Sequence, residues 1–155
     1  MEFTDKEILL SWSDIDGLIE NICLKIKAKV ENAFENHEII AITNGGIIPA
    51  TMISYNLGIK NINLFPIIDK KIIHSRIPKF DVDKRYLLVD EIYDTGKTFR
   101  KTSVCLEHIN HLNVFLVERY SSMTRTANHI IGKTLEDSRW VVFPWEKPKQ
   151  TDNIS

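Results

Sequence analysis

The sequence predicts an α/β domain built on a mainly parallel central sheet flanked by helices, and three observations carry that prediction. Three short apolar runs, Glu38 to Thr43, Tyr86 to Val89 and Leu112 to Val117, read as strands buried on both faces. Segments with helical spacing alternate with them, the pattern of parallel strands joined by crossover helices. Each run then gives way at its carboxyl end to glycine or polar residues: Asn44-Gly45-Gly46, Asp90-Glu91 and Glu118-Arg119-Tyr120. Open α/β sheets bind their ligands beyond the carboxyl ends of strands, so function is expected at these three points.

Taken in order, Met1 to Ser11 is a short leader whose Ile8, Leu9 and Leu10 should pack against something. From Ser13, paired with Asp16 as a cap, a helix should run to about Phe34. Ile15, Leu18, Ile19, Ile22, Ile26, Val30 and Ala33 recur at i, i+3, i+4, and the charges opposite them form a solvated face. Ile47 to Leu57 reads as a second helix, with Pro49 in its first turn and Gly58 just past its end. Ile62 to Ile68 reads as a strand in which Pro66 signals an edge or a bulge. Asp69 to Lys84 is rich in cations (Lys70, Lys71, His74, Arg76, Lys79), too long for a tight turn and too polar for core, and is expected to be disordered or to act as a lid. A third helix is expected from Thr98 to Asn110, burying Phe99, Cys105, Leu106 and Ile109. Ser121 to Lys133 looks like a polar connection with a short strand over Ala127 to Ile131. Beyond it, Trp140 has the shape to stack on a flat ligand while Val142 and Phe143 pack inward.

At 155 residues the chain suits a single domain, residues 1–155, with a core of about 12–146 and a polar tail at 147–155. A formal net charge of −1 implies no general affinity for polyanions, so nucleic acid is not an expected partner. Only Cys23 and Cys105 occur, without a secretory signal or an apolar run long enough to span a bilayer, so a cytoplasmic location with reduced thiols is expected. Cys105, His108 and His111 lie three apart, but the i+6 position drifts off the helical face and no fourth ligand is evident.

The chemistry concentrates in Tyr86-Leu87-Leu88-Val89-Asp90-Glu91-Ile92-Tyr93-Asp94-Thr95-Gly96-Lys97-Thr98. Two carboxylates follow the apolar strand, where charge is expected at an exposed rim. Asp94 then leads into Thr95 to Thr98, whose small residues let backbone N–H groups approach an anion at a helix start. Acids repel a bare phosphate, so the ligand must offer them ribose hydroxyls or a divalent cation; a sugar phosphate satisfies both halves. A P-loop is excluded, because its first glycine belongs where Glu91 stands. Asn44-Gly45-Gly46, between a strand and a helix, forms a second anion site, its glycines allowing positive φ and unobstructed N–H donors.

The central run resembles the 5-phosphoribosyl 1-pyrophosphate (PRPP) signature of type I phosphoribosyltransferases. With Ser11-Trp12-Ser13, Gly45-Gly46 and Trp140-Val141-Val142-x-Pro-Trp-Glu at these intervals, the likeness extends from about Trp12 to Glu146 and is to the bacterial xanthine-guanine phosphoribosyltransferases. The resemblance implies a type I phosphoribosyltransferase fold with a flexible hood loop over PRPP, Mg²⁺ as cofactor, a nucleobase as second substrate, and a homo-oligomer, dimer or tetramer. It implies that Asp90 and Glu91 hold the ribose hydroxyls directly or through magnesium. Asp94 would act at the base nitrogen and, with Thr95, Gly96, Lys97 and Thr98, border the 5′-phosphate. Asn44, Gly45 and Gly46 would hold pyrophosphate, while Trp140 stacks on the purine and Val141 meets its edge.

Two departures from the family stand out. Asn44 occupies a position that is often basic, and no lysine ends the Leu112 to Val117 strand, where the family hydrogen-bonds the purine 6-oxo group. Glu118 or Arg119 takes that place; arginine donates to a carbonyl oxygen, whereas an ionised glutamate accepts and favours an amino group. The implied activity is purine salvage from PRPP. The alternatives are a phosphoribosyltransferase for another base, or a PRPP-binding regulatory protein without turnover.

Overall fold

The computed structural model describes residues 1–31, 33–120 and 128–146. The main sheet has five strands in the order β4-β3-β7-β8-β9, all parallel. These are β3 (His37–Ile42), β4 (Ile62–Phe65), β7 (Arg85–Tyr93), β8 (Asn110–Arg119) and β9 (His129–Leu135). Strand alternation sorts the core into two layers. Ile39, Ala41, Leu87 and Val89 face one side, with buried residues of helices α1 (Trp12–Val30) and α2 (Ile47–Leu57). Ile40, Ile42, Tyr86 and Leu88 face the other, with Leu106 and Ile109 just past helix α3 (Lys97–Cys105). This two-sided covering is what near-continuous apolar strands require.

Helix α1 starts two residues earlier than the Ser13 and Asp16 pair suggested. Ser11 is the N-cap: its Oγ accepts from the Asp14 amide at 3.0 Å, and its own amide donates to Asp14 Oδ2 at 2.8 Å. The helix ends at Val30, with Glu31 left-handed, so Ala33 and Phe34 fall outside it. Helix α2 has its expected bounds, closed by Gly58 at φ 71°. Helix α3 stops at Cys105, five residues short of expectation.

Pro66 splits the expected strand: β4 is an edge strand, and the chain turns away into a hairpin of β5 (Ile67–Ile68) and β6 (Lys71–Ile72). The segment read as a lid carries secondary structure of its own. Its tight turn is Asp69-Lys70, followed by a 3-10 turn at His74–Arg76, and Ile72, Ile77 and Phe80 pack on the second core layer. A small second sheet, not foreseen, joins β1 (Glu2–Phe3), β2 (Glu7–Leu9) and β10 (Trp140–Val142), which accounts for the burial of Ile8 and Leu10. The expected strand at Ala127 to Ile131 is β9, which begins at His129. Residues 121–127 and the polar tail at 147–155 lie outside the described residues.

Candidate active site

The sheet reverses its order of winding between β3 and β7: the chain goes from β3 outward to β4, then back across to β7. Such a switch point opens a crevice beyond the strand ends. Here the crevice has a specific cause. Pairing of β3 with β7 ends at Ala41 and Val89, whereas β7 continues beside β8 from Asp90 through Tyr93. Asp90 and Glu91 thus lie inside a strand whose neighbour on one side has already left the sheet. They are half-buried rather than exposed at a rim, which corrects the expectation from sequence.

Burial sets their chemistry. Desolvation pushes Asp90 up to about 7 although the Glu91 amide donates to its Oδ1 at 2.8 Å. Desolvation, then the nearby charges of Glu146 and Asp90, pushes Glu91 up to about 7, while the Trp145 indole, donating to Oε2 at 3.3 Å, opposes the shift. Two hard carboxylates that burial leaves reluctant to ionise form a donor set that fits Mg²⁺, which commonly binds through one or two carboxylates and substrate phosphates.

A stability consequence follows. The folded pKa values lie above the usual carboxylate range, so the native state keeps protons that the unfolded chain has released. This pair therefore favours the fold at low pH and loses that contribution as pH rises from about 4 through about 7. His37 and His111, lowered mainly by burial, act oppositely, so the difference between variants is the clean readout. Relative to wild type, the Asp90→Asn, Glu91→Gln double variant should gain melting temperature between pH 4 and 8 without magnesium. A difference that stays flat would contradict the assignment.

The turn after β3 forms one wall. Its own hydrogen bonds use the Gly46 amide, to Ile42 O at 2.8 Å, and the Ile47 amide, to Asn44 O at 3.1 Å, which leaves the Asn44 and Gly45 part of the turn for a ligand. Gly46 has φ −80°, so the expected positive φ is not the reason for glycine; close approach of backbone is. The opposite wall is the start of α3. Gly96 is left-handed at φ 77°, and the helix begins at Lys97 with Thr98 facing the cleft. Arg100, which the sequence reading passed over, donates from Nη1 to Thr95 O at 3.2 Å, placing a cation beside the Thr95 to Thr98 turn. Its signal was its place one helical turn after Gly96.

A cleft of about 350 Å³ lies between these walls, bordered by Asn44, Gly45, Asp90, Glu91 and Thr98, with the hairpin turn Asp69-Lys70 as its roof. Thr43 fixes the hairpin there: its Oγ1 accepts from the Ile67 amide at 3.1 Å and lies 3.1 Å from Phe65 O. Lys70 is the one basic residue bordering the cleft among the described residues.

The residues that the resemblance assigns to the base lie on or just past three elements. Trp140 on β10 is 53% exposed, while Val141 beside it is buried. Asp94 is half-exposed, and Arg119 Nε reaches its Oδ1 at 3.1 Å. Arg119 also donates from Nη1 to Asp137 O at 2.7 Å and to Arg139 O at 2.8 Å. Glu118, its neighbour on β8, is buried at 1% exposure. Of the two residues left open by the sequence, Arg119 is the one in contact with Asp94. Trp145 stacks on Phe143 at 5.1 Å and meets Trp12 at 5.8 Å, which ties the end of the fold to Glu91.

Acids set into a strand between two glycine-bearing turns suit the type I phosphoribosyltransferases, which this chain resembles in fold and motif. The relatives it resembles are named as purine enzymes. The xanthine-guanine phosphoribosyltransferase of Chromohalobacter salexigens is 27% identical, the match covering 91% of this chain and 85% of the relative. That of Desulfotalea psychrophila is 29% identical over 72% of this chain and 71% of its own length. The purine phosphoribosyltransferase of Pyrococcus horikoshii superposes with a TM-score of 0.71 at 26% identity, over 92% of this chain and 96% of that one. The Helicobacter pylori xanthine-guanine-hypoxanthine phosphoribosyltransferase shares the fold, with a TM-score of 0.71 at 17% identity over 90% and 93% of the two chains. No protein-family model matches the chain. No helix among the described residues is long and apolar enough to cross a membrane.

Proposed function

We propose that the chain transfers the phosphoribosyl group of PRPP to a purine of the guanine, xanthine or hypoxanthine type, forming a nucleoside 5′-monophosphate and pyrophosphate in cytoplasmic purine salvage. The observation that carries this reading is the acid pair Asp90 and Glu91 in the switch-point crevice, between the Asn44-Gly45 turn and the Thr95 to Thr98 helix start. A base nitrogen attacks C1 of PRPP, the bond from C1 to the pyrophosphate oxygen breaks, and pyrophosphate leaves. Positive charge develops on the ribose in the transition state, as in other glycosyl transfers, so positioning and electrostatics matter more than a covalent nucleophile.

Asp90 and Glu91 hold the ribose hydroxyls, directly or through Mg²⁺, which when bound neutralises phosphate charge. The 5′-phosphate sits on Thr95, Gly96, Lys97 and Thr98, with Arg100 behind it. Asn44 and Gly45 meet pyrophosphate, and Trp140 with Val141 meets the base. Asp94 takes or shares the proton at N7. Self-association as a dimer or tetramer rests on the family resemblance.

Lys70 fits the pyrophosphate end, where Asn44 leaves the family's frequent cation missing. Lys70→Ala should raise KM for PRPP about tenfold, equivalent to about 1.4 kcal/mol of binding, with a smaller change in kcat. An unchanged KM would remove Lys70 from the site.

Pyrophosphate release from magnesium and PRPP, measured with guanine, xanthine, hypoxanthine and adenine, tests the function. Release with one or more 6-oxopurines is expected. Release with adenine alone would move the chain to another base, a reading favoured by the absence of lysine at the end of β8. Binding of PRPP without release under any condition would make it a regulatory protein.

A further inference from the structure

We propose that Arg119 is a positioning residue: it braces Asp94 against the strap that carries Trp140, and so fixes the proton acceptor and the stacking ring at one separation for the incoming base. The inference rests on the phosphoribosyltransfer reading and adds a role to a residue first considered as a direct ligand of the purine. Arginine presents five N–H groups in a planar fork. Nη1 donates to the carbonyls of Asp137 at 2.7 Å and Arg139 at 2.8 Å, and Nε forms an ion pair with Asp94 Oδ1 across 3.1 Å. Asp94 stands directly before the Thr95 to Thr98 turn, and Arg139 directly before Trp140. One guanidinium therefore ties the end of β7 to the entry of β10.

The Arg119 side chain is 11% exposed, so its two charge-assisted bonds to the carbonyls form away from water, while the Asp94 end of the ion pair is half-exposed. The strap has further anchors: the Trp140 amide donates to Lys6 O at 3.0 Å, and Asp137 pairs with Arg139. Asp94 has Arg119 as its only ion-pair partner among the described residues. Loss of the brace thus frees the carboxylate more than it frees the ring. A lysine, with a compact point charge, cannot span the three acceptors. Misplacement of a reacting group by about 1 Å can cost about 10²-fold in rate, which sets the scale of the expected effect.

The experiment compares Arg119→Lys and Arg119→Ala with wild type, each in the wild-type and Asp94→Asn backgrounds, using every base that the wild type accepts. Base-dependent turnover by wild type reports on the function itself; the pattern among variants reports on the brace. Both single variants should lose about 10- to 100-fold in kcat by the same factor for each accepted base, with KM for PRPP within twofold. In the Asp94→Asn background the further loss should shrink to about twofold, because an already absent acceptor cannot be mispositioned. Should Arg119→Ala fail to fold, Arg119→Lys, which keeps charge and length, decides alone. Full activity of Arg119→Lys overturns the brace. A loss confined to KM for 6-oxopurines also overturns it, and would return Arg119 to direct contact with the base.

Discussion

Asp94→Asn is expected to lower kcat by about 10²- to 10⁴-fold, the range of a positioned acid or base, while melting temperature and PRPP affinity stay near wild type. In barrier terms this is about 3 to 5 kcal/mol. The substitution is conservative in shape, and an amide oxygen can take the place of Oδ1 beside Arg119 Nε. Asp94 is half-exposed, so the fold has little to lose. What disappears is the ability to accept a proton from the base as its other nitrogen bonds to C1. Because that acceptance matters in the transition state, kcat and kcat/KM should fall together. A variant with unchanged kcat would take Asp94 out of the mechanism; one with altered KM alone would make it a binding residue.

The second large effect separates two adjacent glycines. A Cβ on Gly46 would lie 2.3 Å from Val89 O, 2.8 Å from Ile42 O and 2.9 Å from Ile42 N. All three are backbone atoms of β3 and β7 at the point where the strands part, and none can rotate away. Gly46→Ala should therefore cost stability at or above the upper end of ordinary overpacking, about 3 kcal/mol. For a domain of this size that lowers the melting temperature by roughly 6 to 12 °C. A Cβ on Gly45 would instead meet Glu91 Cδ at 2.5 Å and Oε1 at 2.7 Å, the end of a side chain that can swing. Gly45→Ala should melt within a few degrees of wild type yet raise KM for PRPP by displacing the Glu91 carboxylate. Equal melting temperatures for the two variants would contradict this division. So would an unchanged KM for Gly45→Ala.

The parts of the fold legible in the sequence are those decided by local chemistry. Helix α2 was bounded by Pro49 and Gly58, because a fixed φ suits its first turn and a left-handed residue closes it. The apolar runs of β3, β7 and β8 announced burial on both faces, and the glycine turn, the acids and the Thr-Gly-Lys-Thr start announced the crevice. What was not legible depends on partners far along the chain. Two overlapping Ser-x-x-Asp registers compete at the start of α1. The one that forms, Ser11 with Asp14, is also held by the Met1 amine at 2.8 Å and by the Leu10 amide on Val142 O.

The hairpin over the cleft escaped because Asp69-Lys70 lacks the glycine or asparagine typical of a two-residue turn at positive φ. Its register depends on Thr43, 24 residues before Ile67. Choosing Arg119 over Glu118 required carbonyl partners 18 and 20 residues away. The burial of Asp90 and Glu91 depended on β3 ending one pair before them, which no local pattern encodes.

The central claim is that a phosphorylated ribose lies across the end of β7, with amides at one end and acids on its diol. A crystal structure with magnesium, PRPP and an unreactive purine analogue tests it most directly. The 5′-phosphate should rest on the amides of Thr95 to Thr98, the ribose hydroxyls on Asp90 and Glu91, and the analogue on Trp140. Ribose bound elsewhere, or a cleft above Val89 left empty at saturating PRPP, would contradict the account.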